Sequence, residues 1–180
     1  MLMKPNYIFT SARLGMRPWQ DADLTPFAAM NAHPEVMRHF PNLLTSEQSQ
    51  QLIQRIMKGY EQYGYCFYAT DLLETGEFIG FIGFMYQTFE SHFTPCVEIG
   101  WRLDHRFWNK GLATEGAKAC LDYGFNQLGF TSVYSFTATC NNASERIMQK
   151  IGMQKIGEFE HPRLEKGHHL RPHVLYKTEQ

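Results

Sequence analysis

The residues whose types and spacing best suit chemistry lie in one stretch, from Val97 to Gly116. This stretch reads as a β-strand over 97–103, a short loop, and a helix that opens on Gly111. The turn over 109–114 carries small residues, so a phosphate could approach its backbone closely. Free N–H groups at a helix start, reinforced by the helix dipole, form a ready anion site. The pattern predicts a phosphate-bearing cofactor that lies beside an extended segment.

The turn lacks the usual sequence signatures of nucleotide-phosphate sites. No Gly-Lys-Ser/Thr follows a glycine four residues earlier, and Gly-x-Gly-x-x-Gly is absent. On its own, a Gly-Leu-Ala helix start is equally consistent with an ordinary tight turn. The prediction of a cofactor therefore depends on a second group of residues.

Several other stretches occur together with this turn in one known pattern. They are Arg13-Leu-Gly-Met-Arg17, Glu98-Ile-Gly-Trp-Arg-Leu103, Ala113-Thr-Glu-Gly116, Asn141-Asn-Ala-Ser144 and Lys150-Ile-Gly-Met153. With them, the chain resembles the GNAT superfamily of N-acetyltransferases, and most closely its ribosomal-protein acetyltransferase (RimJ/RimL-like) branch. The family motif at the acetyl-CoA site reads Gln/Arg-x-x-Gly-x-Gly/Ala, and Trp108-Asn-Lys-Gly-Leu-Ala113 matches it with the Trp that this branch commonly uses. The resemblance covers nearly the whole chain in the right order.

The resemblance implies how acetyl-CoA would bind. Its pantetheine would pair with the backbone at 99–103, where this strand splays from a strand at 132–139. Its pyrophosphate would lie on the amides of the turn, and a backbone N–H near Trp101 to Leu103 would polarise the thioester carbonyl. The implied cofactor-binding residues are Trp101, Arg102, Leu103, Trp108, Asn109, Lys110, Gly111, Leu112, Ala113, Thr114 and Asn141.

Direct acetyl transfer needs a base for the incoming ammonium and an acid for the departing thiolate. The resemblance implies Glu98 as the base, acting through a water; an exposed or ion-paired strand carboxylate is the alternative. Many GNAT enzymes use a Tyr as the acid, but this chain has Met148 at that position, so the role passes to Ser144. Ser144 could equally be an ordinary first-turn residue, and Asn141 could be only a helix N-cap.

The order of predicted elements indicates a mixed α/β domain with one central sheet. The predicted strands lie at 10–18, 65–70, 77–86, 96–103, 132–139, 153–159 and 170–177, and helices start near Asp21, Thr45, Gly111 and Asn141. The resemblance implies that the sheet is mostly antiparallel, splayed at its middle and flanked by helices. Glycines at 80 and 83 within one strand predict a close approach by another backbone or a ligand.

Length and composition predict a single domain over 1–180, with an ordered core over about 10–178. A formal net charge of −1 gives no electrostatic basis for nucleic-acid binding. No apolar run suits a membrane span, and the segment from Met1 to Phe9 lacks the features of a secretion signal. We therefore expect a cytoplasmic protein, monomeric or homodimeric, without nucleic-acid or membrane partners.

The cysteines and histidines do not predict a metal site. The four cysteines, at 66, 96, 120 and 140, show no Cys-x-x-Cys spacing, and reduced core thiols are the favoured interpretation. The histidines at 161, 168, 169 and 173 lack ligand spacing and are interpreted as solvated loop residues.

The favoured function is an N-acetyltransferase that uses acetyl-CoA and a primary amine, with a protein N-terminus among the candidate acceptors. One alternative is a small-molecule acetyltransferase that acts on polyamines, amino acids or antibiotics. A second is a catalytically silent acyl-CoA-binding module, because the usual Tyr is absent. A third is a thiol enzyme using Cys140 or Cys120, although neither has a His in a recognisable sequence relation.

Overall fold

A computed structural model describes residues 6–180, through which one eight-stranded sheet runs. The strands are β1 Phe9–Thr10, β2 Leu14–Arg17, β3 Phe67–Leu72, β4 Glu77–Gln87, β5 Cys96–Leu103, β6 Ser132–Ala138, β7 Gln154–Glu160 and β8 Pro172–Glu179. The helices are α1 Leu24–Asn31, α2 Pro34–Met37, α3 Ser46–Tyr63, α4 Leu112–Asn126 and α5 Asn142–Lys150. Short 3₁₀ turns occur at Asp21–Asp23 and His105–Phe107. The first five residues, part of the segment predicted to carry no secretion signal, lie outside the described residues.

The strand order is β1-β2-β3-β4-β5-β6-β8-β7, and every neighbouring pair is antiparallel except β5 with β6. The predicted mixed α/β fold with a mostly antiparallel sheet is confirmed. The parallel pair is joined at a single register position, Glu98 opposite Tyr134. Beyond it the two strands diverge, so the sheet is splayed at its middle. In the part of the chain described here, no helix is long and apolar enough to cross a membrane.

Two predictions near the N-terminus are wrong. The single strand predicted over 10–18 is instead a hairpin of β1 and β2. Ser11 and Leu14 form the turn: the N–H of Ser11 donates to the carbonyl of Leu14, and the N–H of Leu14 donates to Ser11 Oγ. Asp21 does not cap the following helix. Gln20 occupies the cap position of a 3₁₀ turn instead, and its N–H donates to the carboxylate of Asp23.

The long helix α3 begins as predicted. Thr45 Oγ1 accepts from the N–H of Gln48, and the Gln48 side chain accepts from the N–H of Thr45, which completes a capping box. The strand predicted over 65–70 is displaced by two residues to Phe67–Leu72. The β-branched and aromatic content on which this prediction rests identifies a strand but defines its ends poorly.

The two faces of the central strands carry different helices. On one face, α4 lies against Ile82, and an added Cβ at Gly116 would overlap that side chain. On the other face, Phe27 of α1 packs its ring 6.1 Å from that of Phe81. Because Phe81 pairs with Arg102 across the β4–β5 ladder, the side chain of Arg102 lies on the α1 face. Glu98 shares this face, since alternate residues of a strand point the same way.

The predicted close approach at the two strand glycines is confirmed. A Cβ added at Gly80 would overlap the carbonyl oxygen of Arg102, and one at Gly83 would overlap that of Cys66. Both glycines therefore allow β4 to lie against the backbones of its neighbours.

We expect Gly83→Ala to lower the free energy of unfolding by about 1–3 kcal/mol, since backbone must shift to admit the methyl group. Gly59→Ala is the matched control: it lies in α3 with nothing within 4 Å of an added Cβ. That change should raise stability slightly, because Ala forms helix better than Gly. Denaturant unfolding measures both, and equal effects at the two positions would contradict the steric explanation.

Candidate active site

A cleft of about 1000 Å³ opens where β5 and β6 diverge. Strand β5 and the turn into α4 form one wall, and the end of β6 with the start of α5 forms the other. The outer ends are formed by residues of α2 and the loop that follows it, within 35–41, and by residues within 161–173, from the β7–β8 connection to the start of β8. The predicted site residues that line the cleft are Glu98, Trp101, Arg102, Leu103, Trp108, Asn109, Gly111, Leu112, Ala113, Thr114, Asn141 and Ser144. Lys110 does not line it; its ammonium lies 5.3 Å from the centroid of the Phe107 ring.

The backbone of β5 presents only alternate residues to the cleft. The N–H of Asp104 donates to Ile79 O at 2.9 Å, which fixes the hydrogen-bonding phase of the β4–β5 ladder. Successive residues of a strand direct their backbone N–H and C=O groups to opposite sides. Arg102 therefore directs these groups toward β4, as Asp104 does, whereas Trp101 and Leu103 direct theirs toward the open edge of β5. Arg102 therefore reaches the cleft through its side chain alone.

Two side chains already use acceptors on that open edge. Ser135 Oγ donates to the carbonyl of Ile99 at 3.0 Å, and the indole N–H of Trp108 donates to the carbonyl of Leu103 at 2.8 Å. The N–H groups of Trp101 and Leu103 face the divergence. A backbone N–H within 101–103 was predicted to polarise the thioester carbonyl. Of these three residues, only Trp101 and Leu103 direct their N–H groups into the cleft.

The turn into α4 has the conformation of an anion site. Asn109 and Gly111 have φ of +60° and +75°, a region that favours glycine, and Gly111 caps the helix without a side chain. The first N–H groups of α4 are therefore left for a ligand. Arg13 lies 3.7 Å from the Cβ position of Gly111 and is held there by Glu115, 2.7 Å away.

Glu98 lies half-buried at the inner end of the cleft, at the point where the strands part. Its carboxylate accepts a short hydrogen bond from the side-chain amide of Gln87. Burial raises the pKa of the Glu98 carboxyl to about 8, although this hydrogen bond and the charge of Arg163 both act to lower it. Glu98 is thus a carboxyl poised to exchange protons near neutral pH, as a general base requires.

Asn141 and Ser144 are joined at the start of α5. Asn141 caps the helix, since its Oδ1 accepts from the N–H of Ser144 at 3.3 Å. Its Nδ2 donates to Ser144 Oγ at 3.1 Å and to Thr137 Oγ1 at 2.9 Å. Because the Ser144 oxygen accepts from this amide, its own proton is free to be donated into the cleft. The N-cap role of Asn141 is real, and Asn141 lines the cleft as well.

Comparison with known proteins places the chain in a family. Residues 13–154 match the family model described as "Acetyltransferase (GNAT) domain". The chain belongs to the GNAT acetyltransferase family. It is 33% identical over 142 residues to the uncharacterised protein YkkB of Bacillus subtilis (strain 168), covering 78% of this chain and 81% of that protein.

Solved GNAT structures share the fold. A GNAT-family acetyltransferase from Bacillus anthracis superposes with a TM-score of 0.79 at 25% identity, over 94% of this chain and 96% of that chain. RimL, a ribosomal L7/L12 α-N-protein acetyltransferase solved in complex with coenzyme A, gives 0.78 at 14% identity, over 97% and 98%.

Four cations that the sequence analysis did not assign line the cleft: Arg38, Arg146, Lys150 and Arg163. Arg146 and Lys150 share one face of α5 through their i, i+4 spacing, which was visible in the sequence. Arg38 and Arg163 come from loops on opposite sides of the cleft, and no local pattern marks them. In a GNAT protein, this excess of positive charge complements an anionic donor molecule.

Two histidines predicted to be solvated are not. His161 and His173 lie 4.9 Å apart, ring to ring, and both pack against Phe136 and Phe159. Burial lowers the pKa of His161 to about 4 and also lowers that of His173. The prediction failed because the sequence places them in a loop and a strand start, whereas pairing of β7 with β8 brings them together.

The cysteine predictions are confirmed in part. Cys66, Cys96 and Cys120 are buried free thiols, as expected. Cys140 is exposed, and its Sγ lies 3.7 Å from Nδ1 of His39. The sequence could not show this pair because the two residues are 101 positions apart.

We expect the kcat of wild-type protein to rise with pH and then level off above the pKa of Glu98 in the substrate complex, because a base works only when ionised. Burial raises that pKa to about 8 in the free protein. Glu98→Gln should remove this inflection and lower kcat roughly 100-fold. Gln87→Leu should move the inflection to higher pH, since the substitution removes a hydrogen-bond donor that stabilises the Glu98 carboxylate. Thiol release from acetyl-CoA at saturating substrates measures each profile. An unchanged inflection in Glu98→Gln would exclude Glu98 as the base.

Proposed function

We propose that this protein is an acetyl-CoA-dependent N-acetyltransferase that moves the acetyl group directly to a primary amine. One observation supports this most strongly. The divergence of β5 and β6 leaves backbone donors of Trp101 and Leu103 facing the cleft that Glu98 and Ser144 also line. A thioester donor, an oxyanion site, a base and an acid can therefore meet at one place.

The anionic end of the donor fits the turn at 109–114. The first amides of α4 and the neighbouring Arg13 would hold the pyrophosphate, and the edge of β5 would pair with the pantetheine arm. RimL, which shares this fold, is known in complex with coenzyme A. The basic residues of α5 would add charge attraction for phosphate groups.

The chemistry follows from the named side chains. Glu98 accepts a proton from the acceptor ammonium through a water, and the freed amine attacks the thioester carbon. The N–H of Trp101 or Leu103 stabilises the oxyanion as the C–N bond forms. The C–S bond then breaks as Ser144 donates its proton to the departing thiolate, and the second proton of the attacking nitrogen replaces it on Ser144. The products are an N-acetylated amine and coenzyme A.

Two acceptor classes compete within this proposal. The sequence resemblance and the fold shared with RimL support a protein N-terminal amine in the RimJ/RimL-like manner. A small amine is the alternative. A screen of thiol release from acetyl-CoA with peptides, amino acids and polyamines tests the proposal. A protein that binds acetyl-CoA but releases no thiol with any acceptor would be a silent binding module.

Ala113→Glu should weaken acetyl-CoA binding about 100-fold or more, because it places a carboxylate beside the proposed pyrophosphate. Gln127→Glu adds the same charge just beyond the opposite end of α4 and is the control. Calorimetric titration with acetyl-CoA compares the two. Equal affinities would refute the placement of the pyrophosphate.

Ser144→Ala should lower kcat by roughly 100-fold with little change in the KM for acetyl-CoA, because only protonation of the thiolate is lost. Steady-state thiol release measures both constants. An unaltered kcat would remove Ser144 from the mechanism. Thermal unfolding checks that the variant keeps its fold, since Ser144 also accepts a hydrogen bond from Asn141.

A further inference from the structure

The guanidinium of Arg102 is held in the cleft by a neutral chain of hydrogen bonds. Its Nη1 donates to Oδ1 of Asn31 at 2.7 Å, and Nδ2 of Asn31 donates to Ser49 Oγ at 3.1 Å. Asn31 and Ser49 are completely buried. Nε of Arg102 is buried and has no hydrogen-bond partner within residues 6–180.

No carboxylate neutralises this guanidinium in the described part of the chain. Burial alone lowers the pKa of Arg102 to about 10, so it remains charged at neutral pH. Arg17 shows the contrast, because its buried guanidinium is bracketed by the carboxylates of Asp23 and Asp71. A buried charge without a counter-ion is costly, and the deficit is relieved when an anion binds.

Two donor groups of the guanidinium have no partner among the described residues. The group lies over the rings of Phe40 and Phe81, 3.9 and 5.3 Å from their centroids. Asn31 occupies Nη1, whereas Nη2 and the buried Nε have no hydrogen-bond partner within residues 6–180. Their two N–H groups are parallel, the geometry that a carboxylate accepts in bidentate fashion. A carboxylate reaches Nη2 first, and reaches Nε only when the packing around it shifts.

Arg102 stands on the same face of β5 as the proposed base. Glu98 and Arg102 are four residues apart, roughly 13 Å between Cα atoms along a strand. The residue between them on this face is Gly100, and the ring of Phe67 covers it, 3.1 Å from the position of an added Cβ. Phe67 also lines the cleft. An acceptor lying over this ring would reach toward Glu98 with its amine and toward Arg102 with a second group.

We propose that Arg102 binds a carboxylate of the acceptor, so that the acceptor is an amino acid or another primary amine carrying a carboxylate. This inference rests on the proposed acetyltransferase function and narrows its substrate class. The Nη2 and Nε groups of Arg102, which the described residues leave unpaired, select for the carboxylate, and Glu98 receives the proton of the amine.

Matched acceptor pairs test the proposal in the wild-type protein. Thiol release from acetyl-CoA is measured with tyrosine and tyramine, phenylalanine and phenethylamine, and lysine and cadaverine. The carboxylated member of the best pair should show a kcat/KM roughly 10- to 100-fold higher, mainly through a lower KM. Equal or better turnover of the decarboxylated members would overturn the proposal and leave the acetyltransferase function standing.

Substitution of Arg102 tests the residue itself. Arg102→Met should reduce the carboxylate preference roughly 10- to 100-fold, whereas Arg102→Lys, which keeps the charge but loses the fork, should retain part of it. Arg106→Met is the matched control, because Arg106 is exposed, pairs with Asp104 and lies outside the cleft lining. Thermal unfolding checks that each variant keeps its fold. The comparison of acceptor pairs uses only wild-type protein, so it tests the proposal even where a variant fails to fold.

Calorimetry separates the remaining outcomes. If Arg102→Met loses affinity for acetyl-CoA as much as it loses carboxylate preference, the guanidinium serves a donor phosphate and the proposal is overturned. If no acceptor releases thiol, the acetyltransferase proposal fails. The amino acids are then titrated into the CoA-loaded wild type and Arg102→Met. Binding that depends on Arg102 supports the carboxylate site, and absent or unchanged binding overturns it.

Discussion

The β5–β6 pair is joined at Glu98 and Tyr134 and then parts, and the functional geometry depends on this divergence. A fully paired strand would use its backbone N–H groups in the ladder and leave none for a ligand. Here the edge of β5 beyond Glu98 faces a cleft, and that edge is supported from behind by the long antiparallel ladder with β4. The open edge is therefore rigid, which is what oriented donors require.

The same divergence explains why the titrating groups lie where they do. The protein that surrounds Glu98 raises the pKa of its carboxyl to about 8, while Ser144 lies on the opposite wall, at the start of α5. The proposed base and the proposed acid are thus supplied by two elements that only the splayed pair brings together. Aromatic rings and a histidine with a lowered pKa also line the cleft, so the charge of Arg102 acts in a medium that screens it weakly.

Local patterns predicted much of this structure, and long-range pairing defined the rest. The helix starts at Thr45 and Gly111 and the cap at Asn141 depend on residues close together in the chain, which a sequence displays directly. The contact of Arg102 with Asn31, and that of Cys140 with His39, joins residues that only the folded chain brings together. The hairpin at Ser11 was missed because one side-chain hydrogen bond breaks an otherwise continuous alternation.

The indole hydrogen bond from Trp108 to the carbonyl of Leu103 has a consequence for donor selection. It fastens the turn at 109–114 to the end of β5, the strand proposed to receive the thioester. The distance between the proposed pyrophosphate site and the proposed thioester site is therefore set by the protein itself. Under the proposed function, the arm that joins these two groups of the donor must match that distance, so the fold would select thioesters by the length of the arm.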